Sequence, residues 1–383
     1  MSILDSRWIE LPGDAEQLDP ARLALGFQAS SAACGLKPGG ATDLALLRCH
    51  ADTVSSAVLL TRNAAAAAPV RVCREHLLRA GVRGLVANAG NANAATGDRG
   101  YEHAVRMQRS AAEAMELETS EVAVASTGVI GRPLEIDRIE QGIGQAAPAL
   151  SADGGSRLAA AIMTTDDGPK ACTVRSGGVT ISAQAKGAGM IEPGFATLLA
   201  FVQTDAVVSD PPTALREAAA QSFERITVDG QMSTNDTLLL QATGAAGRPL
   251  PQGLLDTVLR ALALAIVADG EGATRVARVR VSEAVDTAEA ERVARAIANS
   301  QLVQTAIFGR DPNWGRIAQA AGQALAGEED VLLDASTIDA TELEGPEREV
   351  ELAVRLGRGH AATHVWCSDL TYDYIKINAE YTT

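Results

Sequence analysis

The sequence predicts an α+β protein in which layers of sheet pack against layers of helix. Short apolar runs that end in turn residues, such as DLALLRC and RGLVANAG, are typical of strands. Other segments have helical spacing: in YEHAVRMQRSAAEAMEL, the side chains of Ala104, Met107, Ala111 and Met115 form one stripe. Strands and helices are mixed along the chain without the strict alternation of a Rossmann fold, which favours the α+β class.

The middle of the chain predicts a strand followed by a hairpin. EVAVASTGVIG is typical of a buried strand that runs into a Thr-Gly turn. The longer segment RLAAAIMTTDDGPKACTVRSGGVTISAQAKGAGMIEP predicts a helix, a polar loop, a hairpin and a glycine turn. We expect the two hairpin strands to meet at Ser176, Gly177 and Gly178.

The second half predicts a further set of strands and helices. TLLAFVQTDA indicates a strand, and PPTALREAAAQSFERI indicates a helix with proline in its first turn. TVDGQMSTNDTLLLQATG predicts a polar loop and a strand, and a long apolar helix should end at Asp269 and Gly270. The runs VARVRVSE, AEAERVARAIANS and REVELAVRLG together predict a smaller α/β unit at about 275–360.

Composition narrows the class of function. The chain has 383 residues and a formal net charge of −15, which argues against binding to nucleic acid or to an anionic membrane. The N-terminus lacks the basic start and apolar core of a signal peptide, and no segment is apolar for long enough to span a membrane. Five scattered cysteines without a CxxC pair indicate free thiols, so we expect a cytoplasmic protein.

Common catalytic and cofactor motifs are missing from the sequence. It contains no HExxH, no GxSxG, no GxxxxGK[ST], and no GxGxxG after a strand. His360 and His364 would share one helix face, but THVWCSDL favours a strand there, so solvated or structural histidines are the better interpretation. We predict neither a metal nor a cofactor.

Four polar clusters remain as candidate sites, each read as lying where a strand ends. NAGNANAATG carries Asn88, Asn91 and Asn93, which are equally typical of an Asn-Gly loop with left-handed backbone. ASTGVIG offers a threonine hydroxyl and a glycine N–H as an oxyanion-binding pair, although Thr-Gly is also a common turn. MTTDDGPK is a polar loop. DGEGATR places Glu271 between glycines, where it could meet a cation or simply end a helix.

Taken together, seven motifs resemble those of one family, the ornithine acetyltransferases of arginine biosynthesis, which are bifunctional glutamate N-acetyltransferases. The resemblance covers nearly the whole chain, up to DLTYDYIKINAEYTT. The motifs occur in the family's order: NAGNANAATG, ASTGVIG, AIMTTDDGPK, KGAGMIEPGFATLL, ITVDGQMSTNDT, DGEGATR and FGRDPNWGRI. Each one alone is weak, but the ordered set is specific.

The resemblance implies a self-processing enzyme. Members are similar to N-terminal-nucleophile hydrolases, which implies an α/β/β/α-type sandwich here, and they cleave themselves before a threonine. The corresponding bond lies between Ala196 and Thr197, giving an α chain of residues 1–196 and a β chain of residues 197–383. Cleavage frees an α-amine, which titrates near pH 8 and can take the proton of the Thr197 hydroxyl.

The implied reaction is ping-pong acetyl transfer from N2-acetyl-L-ornithine to L-glutamate through acetyl-Thr197. Thr127 and the N–H of Gly128 match the family's oxyanion pair. The implied substrate contacts are Thr164 or its neighbour Thr165, Lys186, Thr197, Glu271, Asn378 and Thr383. Lys186 suits the α-carboxylate, Glu271 suits the ornithine ammonium, and family assemblies imply an α2β2 heterotetramer.

Some positions depart from the family pattern, and other readings remain open. Gly194 and Phe195 replace a polar residue and methionine, Gln231 stands where aspartate is usual, and Gln304 stands where lysine is common. These changes leave open a specialised acyltransferase, or the use of acetyl-CoA as donor. A Thr-nucleophile amidohydrolase or aminopeptidase, and an uncleaved relative that only binds amino acids, are the remaining alternatives.

Overall fold

The computed structural model describes residues 2–192, 198–328 and 331–380, and this part of the chain is a mixed α/β structure with three sheets. Its strands are β1 (Glu16–Leu18), β2 (Phe27–Ala32), β3 (Leu44–Cys49), β4 (Ser55–Leu60), β5 (Gly84–Asn91), β6 (Val122–Val129), β7 (Lys170–Ser176), β8 (Val179–Lys186), β9 (Leu199–Thr204), β10 (Ile226–Thr227), β11 (Thr237–Ala242), β12 (Val276–Ala284), β13 (Ile338–Asp339), β14 (Glu349–Arg355) and β15 (Ala361–Ser368). Its α-helices are α1 (Ala68–His76), α2 (Gly97–Met115), α3 (Ile136–Ala146), α4 (Gly155–Ala161), α5 (Pro211–Ala220), α6 (Leu254–Ala268), α7 (Thr287–Ala298), α8 (Gln301–Gly309), α9 (Trp314–Ala324) and α10 (Tyr372–Glu380).

Two of the sheets share the main core. The four-stranded sheet has the order β2-β3-β5-β6, and the six-stranded sheet has the order β1-β7-β8-β9-β11-β4. Because successive side chains of a strand point to opposite faces of the sheet, β9 contributes to two clusters of buried apolar side chains. Leu199 and Phe201 pack with residues of the four-stranded sheet, whereas Ala200 and Val202 pack with α5 and α6. The six-stranded sheet is therefore buried on both faces at this strand.

The third sheet has its own core. Its five strands have the order β10-β15-β12-β14-β13, and α7 and α9 pack with it around Val279, Val293 and Ile317. The sheet takes in Ile226–Thr227 and Ala361–Ser368 as well as the strands within 275–360. A short parallel pairing of β10 with β15 thus ties this sheet to the segment that precedes β11.

The structure confirms the predicted helical stripe and the predicted hairpin. Ala104, Met107, Ala111 and Met115 are all fully buried on α2. β7 and β8 pair antiparallel around Gly177 and Gly178, both of which have positive φ. Two such residues match the twist of a tight hairpin, and only glycine adopts this backbone readily.

At one edge of the two core sheets, three strands (β5, β6 and β8) end and two strands (β9 and β11) begin. β5 and β6 are parallel, so Asn91 and Thr127 come to the same edge. β8 runs antiparallel to β9, and β11 runs parallel to β9, so the end of β8 lies beside the starts of β9 and β11. The polar loops that follow or precede these strands must therefore meet there.

Candidate active site

A cavity of about 160 Å³ lies at this edge. Its lining combines the end of β6, the 163–170 loop, the segment after β8, the 228–236 loop, the turn after α6, and α10. Among the predicted site residues, those that line it are Thr127, Gly128, Thr164, Thr165, Lys186, Glu271 and Asn378. Ala196, Thr197 and Thr383 lie outside the described residues. Seven residues from five separate segments of the chain are thus brought to one cavity.

The predicted oxyanion pair lies at the end of β6, where Gly128 is in register with Gly90 of the parallel strand β5. Gly128 has φ of 126°, and a Cβ atom there would lie 2.4 Å from the carbonyl carbon of Gly90, so the position requires glycine. Asn235 supports this strand end, because its side-chain amide donates to the carbonyl of Ser126 over 2.8 Å. The Thr127 hydroxyl and the Gly128 backbone are therefore held by a rigid frame.

Lys186 lies beside the Thr127 hydroxyl. The Lys186 Nζ donates to Thr127 Oγ1 over 3.3 Å, which leaves the hydroxyl proton of Thr127 available for another acceptor. Burial lowers the pKa of the Lys186 ammonium, and the negative charge of Asp166 opposes that effect. Lys186 is the buried cation at the cavity wall, and the hydrogen bond that it donates polarises the Thr127 hydroxyl.

Glu271 is a buried carboxylate with both oxygens engaged. Oε1 accepts a hydrogen bond from Thr165 Oγ1 over 2.8 Å, and Oε2 accepts one from Asn378 Nδ2 over 2.7 Å. A Cβ atom at Gly189 would lie 2.7 Å from Oε1, so a larger residue there would displace the Glu271 carboxylate. The contacts with Thr165 and Asn378 join three predicted substrate residues into one group.

The sequence interpretation missed an ion-pair network behind these residues. Lys170 bridges Asp166, at 2.6 Å, and Asp269. Asp166 also accepts the N–H groups of Thr164, over 2.9 Å, and Gly187, over 2.8 Å. Burial acts to raise the pKa of Asp166, but the charges of Lys186 and Lys170 outweigh it and hold that pKa well below the usual range. In the sequence, the charged residues of TTDDGPK and DGEG are the signal that could have indicated this network.

Two further aspartates in the ITVDGQMSTNDT segment also reach the site region. Asp229 lines the cavity, and burial raises its pKa to about 6. Asp236 is buried, and its Oδ1 accepts the N–H of Leu198 over 3.0 Å. Burial raises the pKa of Asp236 well above its usual value, so it favours a neutral carboxyl group. Asp236 therefore anchors the residue that follows Thr197.

Two further residues considered in the sequence, His364 and Gln304, are buried or partly buried away from the cavity lining. His364 lies on β15, its ring stacks edge-on against Trp366, and burial lowers its pKa to about 4. Gln304, one of the departures from the family pattern, is buried on α8 and donates to the carbonyl of Val228 over 2.9 Å. It thereby supports the loop that carries Asp229.

Within residues 2–192, 198–328 and 331–380, no three metal-ligating side chains are grouped as a metal site would need. None of the helices in these ranges combines the length and the apolar character of a membrane span. The five cysteines, all within the described ranges, form no disulfide.

Comparison with known proteins gives consistent matches. Residues 28–383 match the model of the ArgJ family. The chain is 44% identical to the arginine biosynthesis bifunctional protein ArgJ of Symbiobacterium thermophilum, over 94% of this chain and 97% of the relative. It is 45% identical to the protein of the same name from Geobacter sulfurreducens, over 94% and 99% of the two chains.

Among solved structures, the chain matches ornithine acetyltransferase complexed with ornithine from Mycobacterium tuberculosis. It is 34% identical in sequence, with a TM-score of 0.44, and the match covers 48% of this chain and 99% of that chain.

Proposed function

This chain belongs to the ArgJ family, and from that premise we infer that it is the acetyltransferase of arginine biosynthesis that moves an acetyl group from N2-acetyl-L-ornithine to L-glutamate. One observation carries the assignment of its site. The cavity brings a threonine hydroxyl and a glycine of positive φ, Thr127 and Gly128, to the same space as a buried cation and a buried carboxylate, Lys186 and Glu271. N2-acetyl-L-ornithine has a chemical counterpart for each of them: its acetyl oxygen for Thr127 and Gly128, its α-carboxylate for Lys186 and its δ-ammonium for Glu271.

The first half-reaction acetylates Thr197. The chain first cleaves itself between Ala196 and Thr197, which frees the α-amine of Thr197 as a base. That amine takes the proton of the Thr197 hydroxyl while Oγ attacks the acetyl carbonyl of the donor. The carbonyl oxygen becomes an oxyanion that accepts hydrogen bonds from the Thr127 hydroxyl and the Gly128 N–H. The C–N bond then breaks, and the leaving ornithine amine takes the proton from the α-ammonium.

The second half-reaction regenerates the enzyme. The amine of glutamate attacks the carbonyl of acetyl-Thr197, and the α-amine of Thr197 accepts the proton that the attacking amine loses. The ester bond then breaks, and Thr197 Oγ recovers its proton as N-acetylglutamate leaves. The same oxyanion pair serves both halves, which is why one site carries out a ping-pong exchange.

The cavity supports the proposed binding mode of the donor. Lys186 is a buried cation and suits the α-carboxylate, whereas Glu271 suits the δ-ammonium of acetylornithine. Asn378 and Thr165 already hold the two Glu271 oxygens, so they orient the carboxylate towards the substrate. Thr164 lines the cavity beside them, and Thr197 and Thr383 are the other members of the proposed set.

The proposal extends to fold and assembly. An α/β/β/α sandwich similar to N-terminal-nucleophile hydrolases is supported by β9, whose two faces pack on the other core sheet and on helices. We expect an α2β2 heterotetramer of cleaved chains, built from residues 1–196 and 197–383, with the smaller unit at about 275–360. We also expect a cytoplasmic location and small-molecule substrates, with acetyl-CoA as a possible second donor.

The test is a reaction of the purified protein with acetylornithine and glutamate. We expect equal amounts of ornithine and N-acetylglutamate, and burst formation of one ornithine per site when glutamate is left out. Release of acetate instead of N-acetylglutamate would favour an amidohydrolase. Absence of both products would favour a non-catalytic relative. Replacing acetylornithine with acetyl-CoA in the same assay tests the second donor.

Replacing Thr127 with valine is expected to lower kcat by roughly 10²–10³, because it removes one oxyanion donor and keeps a similar shape. Self-cleavage should also slow, since it passes through an oxyanion of the same kind. Turnover is therefore measured per cleaved chain, from the intact mass of the sample. Thr127→Ser retains the hydroxyl and is the matched control. Equal kcat for the valine and serine variants would remove Thr127 from the oxyanion site.

A further inference from the structure

Asp229 is a second carboxylate on the wall of the cavity. Its Oδ2 accepts the N–H of Met190 over 2.7 Å, and its Oδ1 accepts the N–H groups of Ile191, over 2.9 Å, and Gln231, over 3.1 Å. These backbone contacts fix the position of the carboxyl group without supplying a full positive charge. Asp229 therefore faces the cavity as a well-placed acid whose ionisation depends on its surroundings.

The groups around Asp229 disfavour its negative charge. Burial raises its pKa to about 6, and Glu271 on the opposite segment adds to the increase, although the three backbone N–H groups oppose it. Tyr374 of α10 lines the same cavity, and burial, followed by the charges of Asp229 and Glu271, raises its pKa to about 12. Tyr374 thus stays a neutral phenol, and Glu271 is the charged neighbour that acts on Asp229.

The two substrates place opposite charges beside these acids. The donor, acetylornithine, ends in an ammonium group, whereas the acceptor, glutamate, ends in a carboxylate. If both amino acids bind with the α-carboxylate at Lys186, their side chains extend towards Glu271 and Asp229. Two ionised carboxylates suit the ammonium, but they repel the γ-carboxylate of glutamate.

We propose that Asp229 is a specificity-determining group that lets one cavity hold both side chains: it stays ionised beside the ammonium of the donor and takes up a proton from water when the γ-carboxylate of glutamate binds. The protonated carboxyl group can then donate a hydrogen bond to that carboxylate. This inference rests on the proposed function, because it requires one site to bind both amino acids.

The direction of the pH dependence follows from linkage. Glutamate binds the protonated form, so its KM is low below the pKa of Asp229 and rises as the pH increases beyond about 6, by up to about tenfold per pH unit. Acetylornithine binds the ionised form, so its KM rises as the pH falls below that value. The two profiles should therefore have opposite slopes.

The variant Asp229→Asn carries a permanently neutral side chain. We expect the KM of glutamate to become flat between about pH 6 and pH 8, and to fall below the wild-type value at the alkaline end. The KM of acetylornithine should rise roughly tenfold at the same alkaline pH, for loss of one carboxylate near the ammonium. If Asp229 had only a structural role, the substitution would raise both KM values together, because asparagine has one fewer side-chain oxygen to accept the backbone N–H groups.

Proton uptake gives a readout that does not depend on turnover. Titration calorimetry in buffers of different ionisation enthalpy measures the protons bound with each amino acid, and ornithine serves as the reference because both ligands carry an α-amine. Near pH 7, glutamate should take up more protons than ornithine, and Asp229→Asn should abolish the difference. Asp373→Asn, which removes an exposed carboxylate of α10 outside the cavity lining, should preserve it.

The outcomes separate this inference from the proposed function. Acetyl transfer with no difference in proton uptake, or with parallel changes of both KM values in Asp229→Asn, would overturn the role of Asp229 and leave the acetyltransferase intact. A protein that transfers no acetyl group from acetylornithine to glutamate would overturn the proposed function itself.

Discussion

Replacing Thr197 with alanine is expected to leave one uncleaved chain that transfers no acetyl group. The hydroxyl of this residue is proposed to attack the preceding peptide bond first and the acetyl carbonyl afterwards, and alanine has no atom for either step. The free α-amine that serves as base would also never form. The measurement is the intact mass under denaturing conditions together with the N-terminal sequence, and the wild-type protein should give two fragments, one of which starts at Thr197.

Thr197→Ser is the matched control, because it keeps a hydroxyl and loses only a methyl group. It should still cleave and should retain measurable transfer. A cleaved and active Thr197→Ala protein would eliminate Thr197 as the nucleophile. A wild-type protein that is active as a single chain would keep the transferase assignment but remove the α-amine as its base, since residue 197 would then carry an amide nitrogen.

The local patterns of the sequence predicted regular elements well where one face was clearly apolar. The stripe on α2 and the glycine pair of the β7–β8 hairpin are determined by local chemistry, and both are confirmed. The helix predicted from PPTALREAAAQSFERI ends at Ala220, because Phe223 enters the core and Ile226 pairs with Trp366 of β15. That pairing is a contact between distant segments, so helical periodicity could not reveal it.

The sequence predicted residues of the site but not the interactions that support them. The ordered motifs led to seven of the residues that line the cavity, yet they said nothing about what holds those residues in place. Lys170 and Asp166 are close in sequence and looked like an ordinary polar loop, whereas the partner Asp269 follows α6. Burial and the third charge are properties of the folded chain, so the network became visible only in three dimensions.

That network makes Lys170→Met the substitution with the largest expected effect on stability. The Lys170 side chain is 3% exposed, and it is the cation between Asp166 and Asp269, whose side chains are 0% and 17% exposed. Methionine fills a similar volume but leaves two carboxylates without the cation that bridges them, in a region of low dielectric, although Lys186 still acts on Asp166. We expect a loss of about 3–5 kcal/mol in the free energy of unfolding, measured by denaturant or thermal unfolding.

The substitution should also weaken substrate binding, because Asp166 holds the N–H groups of Thr164 and Gly187, and Asp269 holds that of Asp167. These contacts connect the segments that carry Thr165, Lys186 and Glu271. We therefore expect KM for acetylornithine to rise in the folded variant at low temperature. Lys376→Met, which removes an exposed lysine of α10, is the matched control and should change neither stability nor KM appreciably.

The pH dependence of the free energy of unfolding tests whether the carboxylates that lose Lys170 cause the destabilisation. In the wild-type protein, the depressed pKa of Asp166 contributes stability above the unfolded value of about 3.9, and this contribution is lost as the pH falls through the folded pKa. In Lys170→Met, burial is less strongly opposed, so Asp166 protonates at higher pH and escapes part of the penalty. The stability difference between the two proteins should therefore be largest near neutral pH and shrink in acid. A difference independent of pH would indicate lost packing rather than lost charge.

The double variant Lys170→Met/Asp269→Asn should be less destabilised than the sum of the two single variants, because one of the unpaired charges is gone.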